Sequence, residues 1–158
     1  MFEVLVFVYE HYWRGDTCPE LQQLERRLSA QGFEPEQIHE ALVWLDGLNF
    51  AAQNVAAQDE AVAEWEAAPG SLRVFSPGEQ EHLGAECLGF ISFLASAGVL
   101  PSTMREIVID RAMAASGEPV SLDDLKIIVL MVYWSFGKQP DALVLDELCD
   151  SPETRVAH

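Results

Sequence analysis

Two Glu-x-x-His motifs have the residue types and spacing best suited to chemistry in this sequence. They pair Glu36 with His39 and Glu79 with His82. On a helix, residues three apart project from the same side. Helical bundles that hold two iron or manganese ions use two such motifs together with two further glutamates, all pointing inward. Four convergent side chains of this kind would supply four of the six protein ligands of such a di-metal centre.

Helical geometry argues against that centre. At about 100° per residue, the apolar stripe around Ile38 leaves His39 at its edge and Glu36 near the far side. The same construction places His82 about 125° from the centre of the later stripe over residues 83–94. Both motifs also lie in first helical turns, where glutamate normally interacts with the helix dipole. Because metal ligands must converge, we predict no metal site and no cofactor.

Motifs of nucleophilic and phosphate-binding sites are absent from the sequence. It contains no G-x-S-x-G elbow, no Walker A motif and no G-x-G-x-x-G loop. Cys87 falls on an apolar stripe, which predicts an inert buried thiol. Glu10 and His11 are adjacent and would point apart on a helix. We therefore predict a protein that is not an enzyme.

Capping signals predict where the helices begin. Thr17 with Glu20, and Ser76 with Glu79, have the spacing of a capping box, in which two side chains accept hydrogen bonds from otherwise unpaired backbone N–H groups. Gly32 predicts the end of the first of these helices. Three further starts are predicted at Pro35, near Ser102 and after Ser121.

The remaining segments differ in how clearly they can be assigned. Residues 122–136 are apolar on all sides, which predicts a central buried helix. A last short helix is predicted over residues 141–148. Residues 1–13 fit either a helix face or a buried strand, and periodicity leaves both open. The alternation over residues 72–75 is compatible with one short strand.

A change of composition divides the chain. Residues 51–70 are mostly alanine and acid with few large apolar side chains, so we interpret them as a linker, mobile or weakly helical. The predicted fold class is mainly α, with two small helical lobes. The N-terminal lobe covers residues 1–50, the linker 51–70, the C-terminal lobe 71–150 and a loose tail 151–158.

Charge limits the classes of partner. The 158-residue chain has 9 lysines and arginines against 26 aspartates and glutamates, a net charge of −17. Nonspecific nucleic-acid binding and binding to anionic membranes both need cationic side chains, so we expect neither. The same imbalance favours a basic protein partner.

Features of the cysteines and of the N-terminus indicate the compartment. The three cysteines are far apart and form no C-x-x-C pair, which is typical of free thiols in a reducing environment. The first residues are apolar but lack the basic region of a signal peptide. We therefore expect a cytoplasmic protein.

One helix face is a candidate partner surface. Glu36, Glu40 and Trp44 follow one another at four-residue spacing, so they would form a ridge away from the predicted buried stripe. An aromatic anchor beside two acids is suited to binding a basic protein. In the alternative interpretation, Trp44 packs against the first helix or the linker and the face is only solvated.

Six segments carry a pattern in their order and spacing: residues 1–5, 31–33, 38–45, 73–79, 103–111 and 122–132. Together they resemble the bacterial Smg family, a domain of unknown function. The resemblance covers nearly the whole chain and is weakest in the alanine-rich stretch and the tail. It implies a bacterial cytoplasmic protein, supplies no catalytic residues, and carries a contextual association with DNA processing.

Three functions are compatible with these patterns. The first is a non-catalytic protein-interaction or regulatory protein with an acidic surface. The second is an accessory factor in DNA processing, which acts through protein contacts or as an acidic mimic of nucleic acid. The third is a metalloprotein or enzyme that uses the Glu-x-x-His pairs. The lack of a convergent catalytic constellation favours the first.

Overall fold

The structure, a computed structural model, describes residues 2–12, 20–62, 74–115 and 120–136, with only the backbone described for residues 55–62. These residues form six α-helices, and none of them is in a β-strand. The mainly α prediction is confirmed. The helices are α1 (Phe2–Tyr12), α2 (Leu21–Gln31), α3 (Pro35–Val62), α4 (Pro77–Ser96), α5 (Ser102–Ala114) and α6 (Leu122–Ser135).

The predicted N-terminal ends of α3, α4, α5 and α6 are confirmed. At α4, the backbone N–H of Ser76 donates to Glu79 Oε2 at 2.9 Å and the N–H of Glu79 donates to Ser76 Oγ at 3.3 Å, so both halves of the capping box form. At α6, Ser121 Oγ accepts from the N–H of Asp124 at 3.1 Å. Such caps satisfy N–H groups that have no partner within the helix.

The α2 helix begins later than the capping signal predicts. Its N-cap is Glu20, which makes no side-chain capping bond, and Thr17 lies outside the described residues. Its predicted end at Gly32 is confirmed. Gly32 has φ 93°, a left-handed conformation that suits glycine, and the N–H of Phe33 donates to Leu28 O at 3.4 Å. The Phe33 ring then packs edge-on against Phe7 of α1, with centroids 5.6 Å apart.

The first segment is a helix, which decides between the two conformations that its sequence allows. Helix α6 is the central element, as predicted, because it packs against α1, α3, α4 and α5. Its buried side chains lie on all sides. They are Leu125, Lys126, Ile128, Val129, Leu130, Met131, Val132 and Tyr133.

Helices on both sides of the predicted linker share one core. Helix α1 packs on α6, and α3 packs on α5 and α6. The buried apolar side chains from Val4 to Tyr133 form one cluster. The division into two lobes is therefore not confirmed.

Residues 51–62 of the predicted mobile or weakly helical linker are helical and continue α3, because alanine, glutamine and glutamate are good helix formers. Three predicted features lie outside the described residues: the rest of the linker at 63–70, the short helix at 141–148 and the tail at 151–158. Of the predicted strand at 72–75, residues 74 and 75 are neither helix nor strand, and the other two are not described.

None of the helices between residues 2 and 136 is long and apolar enough to cross a bilayer; this holds for the described parts of the chain.

Candidate protein-interaction face on α3

The second Glu-x-x-His motif serves the packing of α4. Glu79 accepts the capping hydrogen bond at the start of the helix. His82 is buried, with 8% of its surface exposed, and its Nε2 lies 3.0 Å from Ala112 O of α5. Because a carbonyl oxygen can only accept, Nε2 carries the proton in this contact. The backbone carbonyl of His82 also accepts from the N–H of Val120 at 2.8 Å.

The burial of His82 corrects the sequence prediction, which placed this side chain away from the apolar stripe of its helix. That construction assumed one continuous helix, but Gly84 has φ 75° and ψ 167° and breaks the helical geometry inside α4. The angle of about 100° per residue therefore cannot be carried across Gly84, and residues before it are rotated about the helix axis relative to the apolar stripe after it. As a result, His82 faces α5 and not solvent.

The first Glu-x-x-His motif lies on the surface. Both Glu36 and His39 are exposed in the first turns of α3. Over the described ranges, no group of three or more histidines, cysteines, aspartates and glutamates could hold a metal ion. His82 and Glu79 are already engaged in contacts within the protein, so a shared site would require those contacts to break.

We predict that the two motifs do not bind a metal ion jointly. Elemental analysis of protein purified without added metal should show no iron, manganese or zinc that depends on His39, because its ring is exposed and Glu79 and His82 are used in packing. Stoichiometric metal that disappears in His39→Ala, with the helical circular dichroism signal unchanged, would contradict this prediction. His82→Ala is a weaker probe, since it also removes a buried hydrogen bond.

Cys87 is buried, as its place on the apolar stripe predicts. Its thiol donates to Val120 O at 3.2 Å. Burial raises the pKa of this thiol to about 11, and the nearby carboxylates of Glu86 and Asp124 act in the same direction. Because the nucleophilic form is the thiolate, Cys87 is protonated and unreactive at neutral pH.

The predicted partner surface is present only in part. Glu36 and Glu40 are exposed on α3, but Trp44 is buried, with 3% of its surface exposed. Its indole Nε1 donates to Arg111 O of α5 at 3.0 Å. Helix α5 packs against this side of α3, so Trp44 cannot serve as an exposed aromatic anchor.

Gly47 leaves room for the Arg111 side chain at the contact between α3 and α5. A Cβ atom at this position would occupy the place of the Arg111 guanidinium, which lies directly against the helix backbone. The guanidinium donates to Trp44 O at 3.4 Å through Nη1 and to Asp110 Oδ2 at 2.8 Å through Nη2. The positive charge of Arg111 is therefore largely neutralised by Asp110 at the surface of α3.

Two other apolar side chains of α3 are exposed, as Trp44 was predicted to be. Val43 is 59% exposed and Phe50 is 68% exposed. From Glu36 through Glu40, Val43 and Gly47 to Phe50 the spacings alternate between four and three residues, which places all five positions on one side of the helix. We call the surface formed by Glu36, Glu40, Val43 and Phe50 the α3 face.

The residues missed by the sequence analysis carry a visible signal. Val43 and Phe50 are two turns apart and in line with the two glutamates, whereas the four-residue spacing from Glu36 leads to Trp44 and away from them. Further carboxylates lie nearby: Asp46 is exposed on α3, and 63% of the Asp110 side chain is exposed beside Arg111. The α3 face therefore combines two apolar side chains with two carboxylates, and further carboxylates lie around it.

Comparison with known proteins places this geometry in a family context. The family model described as "Protein of unknown function (DUF494)" matches residues 1–158. A protein named Protein Smg homolog from Leptothrix cholodnii is 58% identical, and one from Methylibium petroleiphilum is 56% identical. A third, from Bordetella pertussis, is 46% identical. Each match covers 100% of both chains. No solved structure gave a significant match.

Proposed function

Since this chain belongs to the DUF494 family of Smg homologues, whose description assigns no activity, we propose its function from its own surface: it is a non-catalytic interaction or regulatory protein that binds a protein partner through the α3 face. The observation that carries the proposal is the exposure of Val43 and Phe50 in line with Glu36 and Glu40. The protein would act in the cytoplasm, where its separate thiols stay reduced.

Exposed apolar side chains on one helix face favour a binding role. Burying a valine or phenylalanine side chain is worth about 1.5–3 kcal/mol relative to leaving it in water. For Val43 and Phe50 most of that free energy is not gained within the chain. Aromatic side chains at the centre of a contact often contribute most of the affinity. A partner that covers both residues would gain the free energy of burying them.

The state of the reactive groups supports a non-catalytic role. Cys87 is protonated and hydrogen-bonded to Val120, and His82 is engaged with Ala112. Glu79 caps α4. Each group is therefore engaged in a hydrogen bond within the protein, which is the arrangement expected of a structural residue and not of a general base or nucleophile poised for substrate.

A nucleic-acid mimic is less well supported by the α3 face. Such a mimic would present carboxylates at regular intervals, whereas this face alternates from glutamates to Val43 and Phe50. An accessory role in DNA processing would then act through protein contacts. Submicromolar DNA binding with a steep salt dependence would instead support direct contact, which the charge of −17 opposes.

Site-specific photocrosslinking in a native host tests the proposal. The crosslinking amino acid p-benzoylphenylalanine would replace Val43, Phe50 or, as a control, Phe93 of α4, which is 60% exposed and so equally accessible. We expect one protein adduct from positions 43 and 50 that is absent from position 93.

The adduct would then be identified and the partner purified. Phe50→Ala should weaken its binding by about tenfold or more, the loss typical of an aromatic hot spot, while Phe93→Ala should leave binding unchanged. Absence of any adduct from positions 43 and 50, or the same adducts from all three positions, would refute the proposed function.

A further inference from the structure

The α3 face is a narrow strip with its anchors at fixed distances. Val43 and Phe50 are seven residues apart, so their backbones are separated by about 10.5 Å along the helix axis. Glu40 precedes Val43 by about 4.5 Å and Glu36 precedes it by about 10.5 Å. The whole strip is about 21 Å long, or four helical turns. One helix laid along α3 would cover it.

The middle of the strip is closed. Gly47 has no side chain, but the Arg111 guanidinium occupies the space above it. A large side chain of a partner cannot enter between Val43 and Phe50 and would instead meet the paired Arg111 and Asp110. The two apolar anchors are therefore separate contact points and not the walls of one groove.

The charged side chains that the structure describes along this part of α3 are carboxylates. Glu36, Glu40 and Asp46 are exposed carboxylates, and Arg111 is held by Asp110. A partner segment gains attraction by presenting lysine or arginine beside the apolar anchors. Acidic segments would be repelled.

Resting on the proposed function, we propose that the occupant of the α3 face is a basic amphipathic helix of the partner protein. Its two apolar residues lie seven positions apart and contact Val43 and Phe50. On the side away from Phe50, a lysine or arginine one turn from the residue that contacts Val43 meets Glu40. A second lysine or arginine, one turn further along the partner helix, meets Glu36. A small or polar residue lies between the anchors, opposite Arg111.

A helix suits this surface better than an extended segment. Recognition of an extended peptide by strand addition requires a free sheet edge, and none of the residues that the structure describes form a sheet. Helix-on-helix recognition uses anchors at three-, four- and seven-residue spacing, which is the spacing on α3.

Fluorescence anisotropy with designed peptides tests the inference on the full-length protein. The probe is an amidated, labelled 18-residue helix of alanine and glutamine with two leucines seven apart and two lysines at the matching positions. Three control peptides isolate each feature: one with the leucines five apart, one with glutamates in place of the lysines, and one with the lysines moved to the opposite face.

We expect the probe to bind more tightly than every control peptide. Phe50→Ala should lower its affinity by about tenfold or more, whereas the matched Phe93→Ala should leave it unchanged. In the double variant Glu36→Gln with Glu40→Gln, the affinity should fall less, but most of its dependence on salt between 50 and 200 mM (about a twofold change in screening length) should be lost. Circular dichroism of each variant checks that the fold is retained.

The outcomes separate this inference from the proposed function. If positions 43 and 50 crosslink to a partner but the probe binds no better than its controls, or binds Phe50→Ala equally well, the basic-helix inference is wrong and the proposed function stands. If those positions give no adduct, the proposed function fails. A concentration-dependent dimer in sedimentation that is lost in Phe50→Ala would assign the face to a second copy of the chain and overturn the inference.

Discussion

Replacement of Trp44 with alanine should lower the free energy of unfolding by about 3–5 kcal/mol, the range typical of deleting a large buried aromatic side chain. Trp44 is 3% exposed, lies between α3 and α5, and donates its indole N–H to Arg111 O. The substitution removes this hydrogen bond and leaves a cavity at the contact. At about 2–4 °C per kcal/mol for a chain of this size, the melting temperature should fall by roughly 6–20 °C.

The adjacent residue provides the control. Val43→Ala should change the free energy of unfolding by no more than about 0.5 kcal/mol, because Val43 is exposed. Trp44→Phe should fall between the two, since the phenyl ring keeps much of the apolar contact but cannot donate the hydrogen bond. An unchanged melting temperature for Trp44→Ala in thermal or urea unfolding would contradict the burial of Trp44 and restore it to the surface.

Replacement of Gly84 with alanine should destabilise the protein by about 1–3 kcal/mol, although alanine is the better helix former. Gly84 has φ 75° and ψ 167°, a conformation that is essentially restricted to glycine, and no atom lies close enough to clash with an added Cβ. The cost is therefore backbone strain alone. If residue 84 becomes helical instead, the His82 side chain turns away from α5 and loses its contact with Ala112 O.

Gly89 of the same helix is the matched control. It is exposed, has ordinary helical geometry and has open space around its Cα. Gly89→Ala should therefore stabilise the protein by about 0.5–1 kcal/mol. The two variants make the same chemical change and are expected to shift the urea midpoint in opposite directions. Equal stabilisation by both would show that residue 84 is helical.

Features that depend on neighbours along the chain could be predicted from residue type and spacing. The capping box of Ser76 and Glu79, the start of α3 at Pro35 and the end of α2 at Gly32 each involve residues within about five positions of one another. Their hydrogen bonds form wherever the helix lies in the fold, so residue type and spacing are sufficient. The central position of α6 was also predictable, because a helix that is apolar on all sides has to be covered on all sides.

Which sides of the helices are exposed depends on how the helices pack together. Periodicity around the stripe of α3 placed Trp44 outside the core, but α5 covers it through a hydrogen bond between residues 67 positions apart in the chain. With Trp44 buried against α5, the exposed side of α3 presents Val43 and Phe50. The exposed apolar residues of this surface therefore differ from the predicted Trp44. His82 shows a second limit, because an angular construction fails across a non-helical residue such as Gly84. Helix ends follow from local hydrogen bonding, whereas the burial of a helix face depends on which distant helix packs against it, and no local pattern encodes that choice.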